Sequence, residues 1–168
     1  MENVNKSMIS YADKSLPWLE AIGLVLLVIS GMMMMLEMQA QELLMIALCT
    51  LAITFFLKAH RPPAMKIKEG EPQGFTSLLS LTILPKVLWI GASATTIGIL
   101  FYFLKLDGSE QMLVIGGSTL AFGTVLLGAL MVTGTEDLWT AYRPILFRIV
   151  PVLMMAIYIL MSSPAYKA

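Results

Sequence analysis

The chain has 168 residues, of which 58% are hydrophobic and 13% are charged, and 11 Lys and Arg residues balance 11 Asp and Glu residues. Soluble domains carry about 25% charged residues, so this composition excludes a soluble enzyme, a nucleic-acid binder with a basic face and a disordered chain. The single cysteine, Cys49, excludes an intrachain disulfide and hence a secreted disulfide scaffold. The composition predicts an integral membrane protein.

Five apolar segments predict five transmembrane helices, and the fold class is therefore an all-α, polytopic membrane helical bundle. Backbone groups in lipid must be hydrogen-bonded within their own segment, which favours helices. The first, third and fourth segments are long enough to cross a hydrocarbon core of about 30 Å, whereas the second and fifth need flanking residues or upright helices. The segments are Pro17 to Leu36, Leu43 to Leu57, Val87 to Leu104, Met112 to Thr133 and Ile145 to Met161.

Short polar links predict that these helices form two antiparallel hairpins within one membrane domain, 1–168. Only Glu37 to Glu42 separates the first two segments, and only Lys105 to Gln111 separates the third from the fourth. The predicted organisation is hairpin one at 16–57, a cytoplasmic linker at 58–84, hairpin two at 85–133 and a last helix at 145–161.

The two hairpins align without a gap when the sequence is shifted by 68 positions, which predicts a tandem, parallel internal repeat. Leu-Pro opens both halves, where the missing proline N–H costs nothing, and a glycine follows six residues later. The identical pairs are Leu16/Leu84, Pro17/Pro85, Ile22/Ile90, Gly23/Gly91, Ile29/Ile97, Leu36/Leu104 and Glu42/Glu110.

The distribution of cations predicts the orientation of the chain in the membrane. A cytoplasmic amino terminus leaves only Lys105 and Lys167 outside, and five crossings then place the carboxyl terminus outside as well. This bias follows the positive-inside rule. The cations placed inside are Lys6, Lys14, Lys58, Arg61, Lys66, Lys68, Lys86, Arg143 and Arg148.

Glu20 is the only acidic residue within any of the apolar segments. A carboxylate in lipid is costly and is a functional candidate by default, but the helix dipole and headgroup water stabilise one near a helix amino terminus. Arg148 lies at a similar depth in the fifth segment and can extend its side chain to the interface. The alternatives are an intramembrane ion pair between Glu20 and Arg148 or separate solvation of each.

Small residues recur at helical spacing on the third and fourth segments and predict a helix-packing face. Lipid provides no hydrophobic drive for association, so helices approach where small side chains let their backbones come close. We expect the third and fourth helices to pack through these residues, although the same stripe could instead receive another subunit. They are Gly91, Thr95 and Gly98 in the third segment and Gly117, Ala121, Thr124 and Gly128 in the fourth.

The sequence predicts no catalytic, cofactor-binding or metal-binding residues, and hence no cofactor. His60 has no cysteine or acid at ligand spacing, and Cys49 has no histidine nearby in sequence. The consecutive residues Met32 to Met35 point around the whole helix and cannot converge on one ion without a partner helix.

The third-to-fourth hairpin resembles the amino-terminal hairpin of the gliding motility protein GldL family, the membrane motor component of type IX secretion. The resemblance implies a Bacteroidota-type inner-membrane protein built on a related hairpin. Lys105-Leu106-Asp107 replaces the family's His-Trp-Pro, and Leu120 stands where its membrane carboxylate is expected, which implies that the ion-responsive residue is absent. The matching residues span about 24 positions and are Gly98, Leu100, Phe101, Gly108, Met112, Leu113, Ile115, Gly116 and Ala121.

These observations favour a non-catalytic integral membrane subunit or scaffold that packs against itself or a larger membrane assembly, rather than an enzyme. Its expected partners are the lipid bilayer and other membrane subunits or further copies, not nucleic acid. The alternative is a small carrier or channel for a neutral solute, because hydroxyl side chains could line a path through the helices. Those residues are Ser30, Thr50, Thr54, Ser93, Thr95, Thr96, Ser118 and Thr119.

Overall fold

The computed structural model describes residues 2–36, 38–61, 79–133 and 136–162, and within these ranges the chain is helical, with no strand. Each of the five α-helices contains a segment long and apolar enough to cross a membrane, which confirms the predicted helical bundle. The elements are α1 (Glu2–Met35), α2 (Gln41–Ala59), a π-helical turn (Leu79–Ile83), α3 (Leu84–Phe103), α4 (Ser109–Thr133) and α5 (Glu136–Ser162).

Every helix begins earlier than its predicted apolar segment, and two of the helices continue through proline. The first helix includes Pro17 in its interior, and α5 includes Pro144 and Pro151. Proline removes one backbone hydrogen bond, and membrane helices tolerate this when neighbouring groups satisfy the freed carbonyl. The second helix has 19 residues, two more at each end than predicted, so it is no longer short for a span. Most of the predicted linker, 62–78, lies outside the described residues.

The third helix is the centre of the bundle. Helix α1 packs against α2, α2 against α3, α3 against α4, and α5 against both α3 and α4. Consequently 61% of the apolar segment of α3 is buried, compared with 17% for α5. Leu88 and Trp89 of α3 belong to the main hydrophobic cluster together with residues of α2, α4 and α5.

Glycines let the backbones of α3 and α4 come close together. A Cβ on Gly98 would lie 2.9 Å from the backbone nitrogen of Leu113, and one on Gly116 would lie 2.6 Å from that of Thr95. Larger residues at these two positions would force the helices apart. The α3 side of the interface therefore consists of the residues expected from the sequence, which are Gly91, Thr95 and Gly98.

The closest contacts of α4 with α3 lie about one residue away from the two glycines expected there. A Cβ on Gly117 or Gly128 would meet no atom within 4 Å beyond its own helix and chain neighbours. The contact line contains leucines seven residues apart and glycines between them, a repeat that keeps one side of a helix facing its neighbour. These residues are Leu113, Gly116, Leu120, Gly123 and Leu127.

The turns of the two hairpins are related by the same offset of 68 positions as the sequence identities, although the outer ends of the helices are not. Helices α1 and α3 end at Met35 and Phe103, and α2 and α4 begin at Gln41 and Ser109. The contacts of Gly23 and Gly91 are related by the same offset. A Cβ on Gly23 would lie 3.0 Å from Leu51 Cγ, and one on Gly91 would lie 3.2 Å from Thr119 Cγ2.

Gly116→Ala should destabilise the bundle by about 1–3 kcal/mol, because the new methyl group must push the α3 backbone away. Gly117→Ala is the matched control, since it adds the same methyl group where there is space. Thermal denaturation in a mild detergent, followed by tryptophan fluorescence, should give a lower midpoint only for Gly116→Ala. Equal midpoints would contradict the close approach at Gly116.

Candidate functional site

Glu20 is buried although it lies near the amino-terminal end of the first apolar segment. It follows Pro17 by three residues on α1, and its exposed fraction is 4%. The absence of a side chain at Gly23, three residues further along, lets α1 lie close to Leu51 of α2. This close approach brings the carboxylate to the last turn of α2.

Two cations from different helices face this carboxylate. Lys58 Nζ, on α2, donates a hydrogen bond to Glu20 Oε2 at 2.5 Å. Arg148 Nε, on α5, lies 3.0 Å from Glu20 Oε1, which is ion-pair distance. Its N–H is not directed at that oxygen, and Oε1 has no hydrogen-bond partner among the described residues. The Arg148 contact is therefore coulombic, and Lys58 makes the directional bond.

We call this group of three side chains, Glu20, Lys58 and Arg148, the charged triad. The sequence left open whether Glu20 and Arg148 form an ion pair or are solvated separately, and the structure places these two side chains in contact. Sequence reasoning missed Lys58, which was assigned to the cytoplasmic linker because the second apolar segment was ended at Leu57. The antiparallel hairpin already indicated this contact, since the last turn of α2 and the start of the apolar segment of α1 must lie at the same end of the bundle.

The charged triad has a net charge of +1 and lies near one end of the bundle. Glu20 is five residues from the start of its apolar segment and Arg148 is six residues from the start of its own. These separations place both within about 7–9 Å of the segment ends. Lys58 Nζ also lies 4.7 Å from the ring centre of Trp89. A cation over an indole face is attracted by its quadrupole, so α3 also stabilises this charge.

An apolar cavity of about 160 Å³ adjoins the charged triad. Glu20 and Arg148 form part of its wall, and apolar side chains of four helices form most of the rest. Helices α1 and α5 are not closely packed against each other in the described parts of the chain, so the cavity lies between them. The remaining lining residues are Leu24, Leu27, Leu48, Leu51, Phe55, Thr96, Ile99, Phe147, Pro151, Val152 and Met155.

The hydroxyl side chains considered for a solute path do not converge on one. Seven of the eight donate hydrogen bonds to carbonyl oxygens of their own helix, as buried Thr95 does to Gly91 at 2.7 Å. The eighth, Ser93, donates to the carbonyl of Ala52 on α2 at 2.9 Å, where it joins two helices. Their hydroxyl protons are therefore bonded to the backbone and are not available to a solute.

The described residues include no group of three or more His, Cys, Asp and Glu side chains that could hold a metal ion. The His60 ring packs against Phe56 with ring centres 4.6 Å apart, and its Nδ1 lies 3.0 Å from the Phe56 carbonyl oxygen. Cys49 is exposed on the surface of α2. Of the methionine run, Met32 is exposed, and the side chains of Met34 and Met35 lie outside what the structure describes.

Glu20→Leu should lower the free energy of unfolding by about 3–5 kcal/mol, because it leaves the buried Lys58 ammonium without its anion. Glu20→Leu with Lys58→Leu should recover most of this loss, since replacing both members of a buried pair by apolar residues is often neutral. Leucines already occupy the positions 68 residues further along, 88 and 126. Unfolding in mixed micelles with increasing SDS measures both values.

Lys86→Gln serves as the control, because Lys86 is an exposed cation at the same end of the bundle. It should leave the unfolding curve unchanged. If the losses from Glu20→Leu and Lys58→Leu simply added in the double variant, the two groups would not be coupled.

Comparisons of the chain with models of protein families, with curated proteins and with solved structures found no match. The site is therefore defined by its geometry alone: a buried carboxylate, two cations from separate helices and an apolar cavity beside them.

Proposed function

We propose that this chain is a non-catalytic, multi-pass subunit of a bacterial inner-membrane assembly. It packs through the small-residue stripe of α4, defined as Gly117, Ala121, Thr124 and Gly128, against a second copy or another membrane subunit. The observation that carries the proposal is that a Cβ added at Gly117 or Gly128 would meet no atom of α3 within 4 Å, because the closest contacts to α3 lie about one residue away on α4.

The stripe has the properties of a helix-binding surface in lipid. Positions 117 and 128 have no neighbour within 4 Å of an added Cβ beyond their own surroundings on the chain. The Thr124 hydroxyl donates to the Leu120 carbonyl at 2.7 Å, so it presents its methyl group without an unsatisfied donor. Small residues let a second helix approach closely, and this gives the packing that drives association in bilayers.

The charge distribution supports a cytoplasmic amino terminus and an outside carboxyl terminus. Five of the six cations between positions 58 and 148 that the structure describes lie at the end of the bundle that contains the charged triad. Only Lys105 lies at the opposite end. Retention of Lys and Arg on the cytoplasmic side would orient the bundle in this way.

The shared offset of 68 positions between the turns of the two hairpins supports a tandem repeat of two hairpins followed by α5. In this interpretation the GldL-like hairpin is the second copy. Its Leu120, at the position expected for a carboxylate, is fully buried against Gly91. A structural role without ion-driven motion is consistent with that substitution.

Gly128→Cys in a Cys49→Ser background should form a disulfide-linked species after mild oxidation of native membranes, if the stripe meets a second copy. Phe122→Cys is the matched control, because Phe122 lies on an exposed side of α4 away from the stripe. Capture at position 128 by a chain of different mass would identify a heteromeric assembly. Equal crosslinking at both positions, or a strict monomer in membranes with no captured chain, would contradict the proposal.

Gly128→Leu should dissociate the assembly in a mild detergent while leaving the melting midpoint of the monomer within about 2 °C, because Gly128 is exposed and an added Cβ there meets no neighbour. Size-exclusion chromatography with light scattering measures the mass. An unchanged mass would place the interface elsewhere.

A further inference from the structure

We propose that the charged triad and the adjoining cavity form a binding site for one anionic phospholipid. Its phosphate would bind the guanidinium of Arg148, and the first part of one acyl chain would occupy the cavity. This inference does not depend on assembly through α4, since no residue of the small-residue stripe lines the cavity.

The charge of the site favours an anion. One carboxylate faces two cations, and Glu20 Oε2 is already taken by Lys58. The Arg148 side chain is 41% exposed, and its described ion pair uses Nε alone. A guanidinium has five N–H donors in a planar fork, which binds phosphate oxygens in a bidentate manner. Its two terminal nitrogens are therefore available for a phosphate at the membrane surface.

The position of the cavity favours a lipid over a dissolved ion. An apolar cavity of about 150 Å³ holds a benzene-sized ligand, so about 160 Å³ has room for a short stretch of hydrocarbon chain. Leu24 on the α1 side is 43% exposed, and Phe147 on the α5 side is 71% exposed. The gap between these helices faces the surrounding bilayer, and an acyl chain would enter sideways.

The depth of the triad fits a lipid that has its headgroup at the interface. Arg148 lies in the second turn of its apolar segment, and a long cationic side chain extends from this depth toward the headgroup region. Phosphate and chain would then lie on opposite sides of the guanidinium, in the order in which a phospholipid presents them.

The test uses the full chain, stripped of lipid in a nonionic detergent and titrated with phosphatidylglycerol or with phosphatidylcholine of the same acyl chains. Native mass spectrometry counts the bound lipids. We expect one phosphatidylglycerol to bind at least about tenfold more tightly than phosphatidylcholine, whose ammonium group repels the triad. Equal affinity for the two lipids would overturn the proposal.

Three substitutions separate the parts of the site. Arg148→Gln should weaken phosphatidylglycerol binding by about 10- to 100-fold, as expected for the loss of a charge-assisted pair. Leu24→Trp should weaken it to a similar extent by blocking the cavity with the triad intact. Lys86→Gln removes a cation from the same end of the bundle, outside the cavity, and should change the affinity less than twofold. Equal effects of Arg148→Gln and Lys86→Gln would overturn the proposal.

Glu20→Gln provides a readout of opposite sign, because it removes the negative charge that competes for Arg148. Phosphatidylglycerol should bind more tightly to this variant, and a loss of binding by the folded variant would contradict the site. The proposal stays testable on Leu24→Trp and Glu20→Gln if Arg148→Gln does not fold.

Two further ligands distinguish the source of the anion. Inorganic phosphate at millimolar concentration should not displace phosphatidylglycerol. Displacement together with no effect of Leu24→Trp would indicate a free-anion site and overturn the lipid assignment. Palmitate should bind more weakly than phosphatidylglycerol, and tighter binding of palmitate would identify a fatty-acid site instead.

Discussion

The arrangement of the helices around α1 depends on the requirement that a carboxylate in a low-dielectric environment have cationic partners. Glu20 meets it with a hydrogen bond from Lys58 and a close charge from Arg148. Because these partners come from α2 and α5, one buried acid fixes the relative position of three helices. Trp89 adds α3 through its contact with the ammonium group. A buried ion pair is weak evidence of net stability, but it is costly to break, and it therefore selects one arrangement.

The other half of the bundle is fixed by close approach of backbones rather than by charge. Gly98 and Gly116 let α3 and α4 come together at two levels, and Leu113 and Leu120 fill the space beside them. Since lipid chains are as apolar as leucine, this contact gains from packing and not from removal of water. The two hairpins thus turn at equivalent positions but are stabilised differently. A charged pair joins the helices of the first hairpin, and apolar side chains join those of the second.

The sequence was sufficient for the membrane class and the number of helices, because apolar segments of this length have few alternatives. It also placed Glu20 and Arg148 at one depth. Lys58 was missed because hydropathy ends a segment at the first charge, although a lysine side chain can turn back toward a buried anion. The α4 residues closest to α3 were not identified because small residues alone were used to find the packing face. The seven-residue spacing of the α4 leucines would have identified the side that contacts α3. The continuation of α1 through Pro17 depends on the surrounding helices, which no local sequence pattern encodes.

Helices α1 and α5 lie at two edges of the bundle and are held there by different contacts. Among the described residues, helix α5 packs against α3 and α4, whereas α1 packs against α2 and meets α5 in a charge contact near one end. Beyond the triad, α1 is held through its contacts with α2, such as the close approach of Gly23 to Leu51. The position of α1 relative to α5 therefore depends on the charged triad, whereas its attachment to the rest of the bundle depends on α2.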